Sequence, residues 1–271
     1  MQDNELTARR DRIFDIIVRS YIDTAEPVGS RTISKRHGVG LSSASIRNVM
    51  ADLEEEGLIT HPHTSAGRIP TDKGYRYYVD RLMAPEQVTP KEKHWIHGEF
   101  SKVKTIEGLA EKVSKVISEL TESTALLYIK NLKRVSFLTY LLEELVETER
   151  LNDFFEEEAE LFVEGAFRIF EQPEFRDLRM IKSLLQAFDE KYNILQIFVK
   201  DLEEEGVHIH IGSENALGEL NNISLVIKDC YLGNTPIGGV AALGPTRMRY
   251  AKVVAIVDYV ADSVTETVKK F

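Results

Sequence analysis

The stretch from Thr7 to Leu82 limits the fold more than any other, because it holds helical patterns separated by turns so short that the helices must stack on one another. From Thr7 to Thr24, apolar side chains fall at Ile13, Phe14, Ile17, Tyr21 and Ile22, the spacing of a helix with one buried face. Pro27 and Gly29 end that pattern. Ser30 is placed to cap a short second helix through Arg36, and Gly38 supplies the positive φ that closes it. After the turn Val39-Gly40-Leu41, Ser42 or Ser43 caps a third helix with Ile46, Val49, Met50 and Leu53 at i, i+3, i+4 and i+7, and Gly57 ends it. Those four side chains are expected to face the first two helices. A short strand at Leu58 to His61, a loop rich in Pro, Ser and Gly, and a return at Arg68 to Pro70 then read as a hairpin. Thr71 caps a fourth helix whose Tyr75, Tyr78, Val79 and Leu82 can cover it. Three helices, a hairpin and a closing helix, in that order, predict a winged helix-turn-helix over residues 1–83.

Residues 84–90 carry two prolines among polar neighbours and read as a linker. Beyond it, Trp95, Phe100, Val103, Ile106, Leu109, Val113, Val116, Ile117 and Leu120 suit one long helix from Pro90 to Leu120. Thr124 to Ile129 and Val135 to Tyr140 are predicted strands; Leu141 to Phe170 and Phe175 to Leu202 are predicted helices. Val207 to Ile211, Ile223 to Leu232 and Ile237 to Leu243 are strands by their β-branched content, the last two forming a hairpin around Gly233 and Asn234. Thr246 is expected to cap a final helix reaching Lys269. The mixture predicts an α+β domain with a mainly antiparallel sheet over residues 91–271.

A net charge of −10 at first argues against nucleic acid, since a DNA binder must displace counterions from phosphates. The distribution answers the objection. Residues 1–83 hold as many Lys and Arg as Asp and Glu, so the whole excess lies in the remainder. From Pro27 to Ala51 the chain carries Arg31, Lys35, Arg36 and Arg47 and no acid. A basic face on a neutral domain, joined to an acidic body, suits DNA binding with little non-specific adhesion. The single cysteine, Cys230, cannot form an internal disulfide, and with an N-terminus that resembles neither a signal nor a transit peptide it points to the cytoplasm. No run is long and apolar enough to span a membrane, so no membrane partner is expected.

If the apolar face of the third helix points inward, its period sets Ala44, Asn48 and Ala51 opposite, with Arg47 on the flank. Arg47 can donate two bonds to guanine, Asn48 can pair with adenine through two bonds, and the alanines admit close approach to a thymine methyl. Ser42, Ser43 and the free amides at the helix start suit phosphate oxygens, as do Arg31, Lys35 and Arg36 on the second helix. On the wing, Arg68 with His63, Thr64 and Ser65 can reach backbone or the adjacent minor groove. The acids Glu54, Glu55 and Glu56 lie at a helix C-terminus, where the dipole disfavours them, and are read as a solvated end turned away from phosphates. His61 and His63, without further ligands nearby, are read as wing residues and not as a metal site.

EPVGSRTISKRHGVGLSSASIRNVMADLEEEGLITHPHTSAGRIPTDKGYRYYVDRLM at residues 26–83 resembles the heat-inducible transcription repressors of the HrcA family. So do LFVEGAFRIFEQPEF at 161–175, HIHIGSEN at 208–215 and GGVAALGPTRMRY at 238–250, in the family order. The resemblance implies a winged helix-turn-helix followed by a GAF-like domain, acting as a homodimer on an inverted-repeat operator ahead of chaperone genes. It also implies the chaperonin as a partner that keeps the repressor active. Arg47, Asn48, Ser43 and Arg68 lie inside the matching run and carry over as binding residues. Family members usually have a longer middle with an inserted dimerisation segment, whereas only the residues from Leu141 to Leu161 fill that place here. The insert is therefore expected to be reduced, and the long helix from Lys91 or the acidic helix near Glu156 to serve in its stead.

Two further readings stay open at this point. Thr246 and Arg247, with free helix amides, could hold an anion, which would make the chain a winged-helix regulator controlled by a small molecule; the plainer alternative is a capped helix with Arg247 satisfied by local carbonyls or a carboxylate. An enzyme is not expected. No Gly-rich phosphate loop, metal-ligand cluster or nucleophile motif is present, and no cofactor is implied.

Overall fold

The computed structural model describes residues 2–63, 66–130, 159–164, 172–176, 206–215, 220–232 and 235–269, together with the isolated positions 181, 182, 185, 186 and 197. Helix α1 (Gln2–Thr24) buries Ile13, Phe14, Ile17 and Val18 completely. It ends where Ala25 takes a positive φ of 55° and Pro27 withholds an amide. Helix α2 (Ser30–Arg36) follows, and its N-cap is Gly29 without a side-chain bond, not Ser30. Ser30 spends its hydroxyl on Ser43 instead, at 3.0 Å, which ties the start of α2 to the start of α3 (Ser43–Glu55). Between them Gly38 and Gly40 both have positive φ, 54° and 67°, so the chain reverses without strain. Ser34 closes the turn by donating to the Leu41 carbonyl at 3.1 Å.

The expected hairpin is present but short. Strands β1 (Ile59–Thr60) and β2 (Ile69–Pro70) pair antiparallel, and Val28 bridges Arg68 on the far side through two backbone hydrogen bonds of 2.9 Å. Thr71 accepts the Gly74 amide and caps α4 (Asp72–Tyr77), which continues as a π-helical turn through Leu82.

Where one long helix was expected, there are two. Helix α5 (Pro90–Phe100) opens on a capping box of Thr89 and Glu92, and α6 (Ile106–Thr121) opens on Thr105, which accepts the Gly108 amide. The apolar stripe runs on across the break because α6 folds back on α5. Glu99 then meets Lys115 at 3.2 Å and Lys112 at 3.6 Å. Strand β3 (Thr124–Lys130) lies beside β4 (Ala159–Glu164), a segment expected to be helical and converted to strand by six antiparallel pairings with β3. With β5 (Val207–Ile211), β6 (Ile223–Leu232) and β7 (Thr235–Pro245) they make an antiparallel sheet in the order β4-β3-β7-β6-β5. Helix α7 (Tyr250–Val268) and α6 cover one face, over Ala125, Leu127, Val226, Val240 and Ala242. The alternate residues Leu126, Tyr128, Leu225, Ile227 and Leu243 are buried too, so both faces are closed. Cys230 is fully buried, as a small core hydrophobe should be, and burial pushes its thiol far up. The architecture is mixed helix and antiparallel sheet. The expected strand Val135 to Tyr140 and most of the expected helix Phe175 to Leu202 lie outside the described residues.

The helical N-terminal part is bolted to the sheet at two places. Arg76 of α4 forks onto Glu214, with Nε donating to Oε1 at 2.9 Å, and also reaches the Ile209 carbonyl; the Asp72 carboxylate accepts the Ser213 amide at 2.9 Å. Burial works against the Glu214 carboxylate, yet Arg76 and the Ile211 amide hold its titration below the usual range. Between these bonds the Tyr75 and Tyr250 rings meet at 5.8 Å. At the second place Arg247 donates to the Ile22 carbonyl in the last turn of α1 at 2.6 Å and to Glu174 at 2.6 Å.

Candidate nucleic-acid interface

The α2–α3 pair presents its polar faces on one side. Ile33, Ile46, Met50 and Leu53 are buried and Val49 is half-buried, so the other face of α3 is turned out. Ala44, Arg47, Asn48 and Ala51 are all exposed, and their spacing keeps them on one strip. Ser42 is the N-cap, its Oγ accepting the Ser45 amide at 3.1 Å, while Ser43 is half-buried against Ser30. Arg31, Lys35 and Arg36 are exposed on α2. Among the described residues none of the side chains of Arg31, Lys35, Arg36, Arg47 and Asn48 has a hydrogen-bond or ion-pair partner. Four exposed cations without a side-chain partner among the described residues, beside the start of α3, favour the approach of an anion.

The hairpin end is built differently. His63 is exposed, and Ser65 with Thr64 lies outside the described residues. Arg68 is three-quarters covered, and its Nε and Nη2 both reach the Glu54 carboxylate, at 2.9 and 2.7 Å. The same carboxylate meets His61 Nδ1 at 2.6 Å. The His61 bond foremost, joined by the Arg68 guanidinium, holds the Glu54 carboxyl below its ordinary range although burial works against it. Glu56 is engaged too, by Arg10 at 2.9 Å. Of the three acids at the end of α3, Glu54 and Glu56 are therefore not simply solvated, whereas Glu55 is exposed. Sequence spacing offered no sign of the Glu54 cluster, since its partners lie 7 and 14 residues away across a hairpin.

Thr246 and Arg247 are both engaged by protein partners. Thr246 does not cap α7, which starts four residues later at Tyr250 with Arg249 as its N-cap; the Thr246 amide goes to Asn222 and its carbonyl accepts from Tyr250. The reason is that β7 runs to Pro245, leaving a turn before the helix. Arg247 is satisfied by Glu174, Gln172 and Ile22, which is the plainer of the two readings. A crevice of about 480 Å³ lies beside it, between the ends of α1 and α6 and the start of α7; two of its cations, Arg249 and Lys252, are paired with Asp23 and Glu92. No group of acids, histidines and cysteines able to hold a metal occurs among the described residues, and no described helix is long and apolar enough to cross a membrane.

Comparison with known proteins agrees with this architecture. A crystal structure of a hypothetical protein, 21% identical, superposes with a TM-score of 0.70 over 97% of this chain and 98% of that one, so the whole fold has a solved counterpart. The family description "HrcA protein C terminal domain" matches residues 129–254. Heat-inducible transcription repressors HrcA of Geobacter sulfurreducens, Desulfitobacterium hafniense and Acetivibrio thermocellus are 31%, 32% and 33% identical, over 96%, 97% and 98% of this chain and 98%, 97% and 97% of theirs. These relatives are transcription repressors, not enzymes, and that is the class of protein defined here. The chain belongs to the HrcA family of heat-inducible transcription repressors. The alignment with the Geobacter protein spans 337 positions against a chain of 271 residues, so at least 66 of them face a gap here.

Proposed function

We propose that residues 1–83 are a winged helix-turn-helix that binds an inverted-repeat DNA operator, and that the chain represses chaperone genes as a homodimer. Residues 84–90 link that module to a GAF-like body over 91–271, in which the dimerisation insert that the family resemblance implies is reduced. The observation that carries the reading is the acid-free stretch from Pro27 to Ala51, whose four cations are exposed and unpartnered among the described residues. In this reading α3 enters the major groove with Arg47 and Asn48 on base edges and Ala44 and Ala51 against it. Arg31, Lys35, Arg36, Ser42 and Ser43 lie along phosphates, with His63 and Ser65 on the wing. The chaperonin stands as the regulatory partner that the family resemblance implies.

Footprinting on chaperone promoters of the source genome across a salt series tests the proposal. Two protected half-sites related by a two-fold support it; one isolated half-site removes the dimer, and no protection removes the operator. Arg47→Ala is expected to weaken operator binding by about 1–3 kcal/mol and to relax preference at one base pair per half-site. Binding titrations against a set of single-base operator variants check this. Lys35→Ala should weaken operator and random DNA alike and lower the salt slope by about one. A loss limited to the operator would contradict a phosphate role for Lys35.

A further inference from the structure

The wing of this molecule is held by a carboxylate from the helix proposed to read the groove. Glu54 lies in the last turn of α3, a place where the helix dipole disfavours an acid. It is nevertheless ionised and doubly engaged, by His61 on the outgoing arm of the hairpin and by Arg68 on the returning arm. The two arms are thereby gathered on one group. A second fastening lies on the opposite edge, where Val28 and Arg68 exchange both backbone hydrogen bonds at 2.9 Å. Gly67 makes that approach possible: a Cβ there would stand 2.6 Å from the backbone of Pro27 and Val28. The base of the hairpin is thus fixed to the entry of α2 by its backbone and to the end of α3 by Glu54.

We propose that Glu54, Arg68 and His61 form a clamp that sets the angle between the wing and α3, so that Arg68 is a positioning residue and not a phosphate contact. The geometry leaves little alternative for the Nε and Nη2 edge of Arg68, which is turned to the protein and not to the exposed strip of Arg47 and Asn48. A clamp of this kind serves a DNA reader because a two-strand hairpin of two residues each cannot hold its own orientation. Pre-setting the angle spares the wing an ordering cost when it meets the duplex. The inference rests on the proposed DNA-binding function, but its first test does not.

Amide exchange of the full-length protein without DNA is measured for wild type, Glu54→Gln, Arg68→Gln and the double variant. The clamp requires faster exchange of the Thr60 and Ile69 amides in each variant while the amides of α1 keep their protection. Unchanged hairpin exchange overturns it, and so does loss of protection throughout, which would make Glu54 a general stability residue. The same proteins are then titrated with chaperone-promoter DNA and with random duplex over a salt series. Each single change is expected to lower operator affinity about tenfold, the double change no more than either single one, and the salt slope to stay as in wild type. A slope reduced by about one in Arg68→Gln, with effects that multiply in the double variant, overturns the clamp in favour of a direct phosphate contact. Equal binding of promoter and random DNA by the wild type defeats the operator reading, and the exchange result still decides the clamp.

Discussion

Gly74→Ala is expected to destabilise the N-terminal part of the molecule by about 3 kcal/mol or more. Gly74 is buried in the first turn of α4, where the helix lies directly on the end of the hairpin. A Cβ at this position would stand 2.0 Å from the Leu58 carbonyl oxygen, 3.0 Å from its carbon and 3.3 Å from Phe14 Cζ. Relief by a side-chain rotation is not available, because two of the three obstacles are backbone. That backbone is pinned as well: Leu58 donates to Leu53 at 2.9 Å and accepts from Thr71 at 3.1 Å. Either α4 lifts from β1 or the cap at Thr71 is lost. Chemical denaturation followed by far-ultraviolet circular dichroism measures the effect. Gly98→Ala is the control, since Gly98 lies within α5 with nothing inside 4 Å of the added carbon, and the better helix former should raise stability by about 0.4–1 kcal/mol. A Gly74→Ala protein as stable as wild type would mean that the contact between α4 and Leu58 is not this close in solution.

Arg247→Ala carries the second large expectation, a loss of about 3 kcal/mol together with a change in how the molecule unfolds. The side chain is only 11% exposed and supplies three partners at once: Glu174, Gln172 and the Ile22 carbonyl. Ile22 lies in the last turn of α1, where carbonyls lack an acceptor's usual amide, so Arg247 completes that helix end from 225 residues away in sequence. Truncation leaves a half-buried carboxylate and a carbonyl without a donor. It also weakens one of the two fastenings between the helical part and the sheet, leaving there the exposed Arg249–Asp23 pair. Calorimetry should then show the two parts melting at separate temperatures, where the wild type melts as one unit. Arg247→Met, which keeps the stem, separates the lost packing from the lost bonds. A single unshifted transition in both variants would contradict the joint.

How far the sequence disclosed all this depended on the range of the interactions. The turn between α2 and α3 was legible because glycine and serine act locally: Gly38, Gly40 and the Ser42 cap need only their neighbours. The exposed strip of Arg47 and Asn48 followed from periodicity alone. The merging of α5 and α6 came from an apolar stripe that continues through Phe100, Val103 and Ile106, although Thr105 with Gly108 three residues on was a readable cap. Strand β4 was not readable, since AELFVE sits among acids and becomes a strand only by pairing with β3. The same holds for the site. Nothing near Glu54 announces His61 and Arg68, and nothing near Asp72 and Arg76 announces Ser213 and Glu214 at a distance of 138 residues or more. Thr246 was misassigned as a cap for a related reason: the extent of β7 is fixed by its ladder with β6, which runs to Ile223 opposite Pro245.

If the proposed operator binding holds, the double fastening of the helical part to the sheet, at Arg76 and at Arg247, bears on the spacing of the bases selected. Two attachment points, one on α4 and one at the end of α1, forbid swivelling about either. Two copies of the chain joined through their bodies would then present their α3 helices at one fixed separation and one fixed phase. B-form duplex repeats about every 10.5 base pairs, so inserting half a turn between the half-sites would turn one of them to the back of the helix. A protein with a loose tether reaches round to it; one mounted on two screws does not. In the proposed reading the ruler for the operator therefore lies in the body of the molecule, at Glu214 and Arg247, and not in the residues set against the bases.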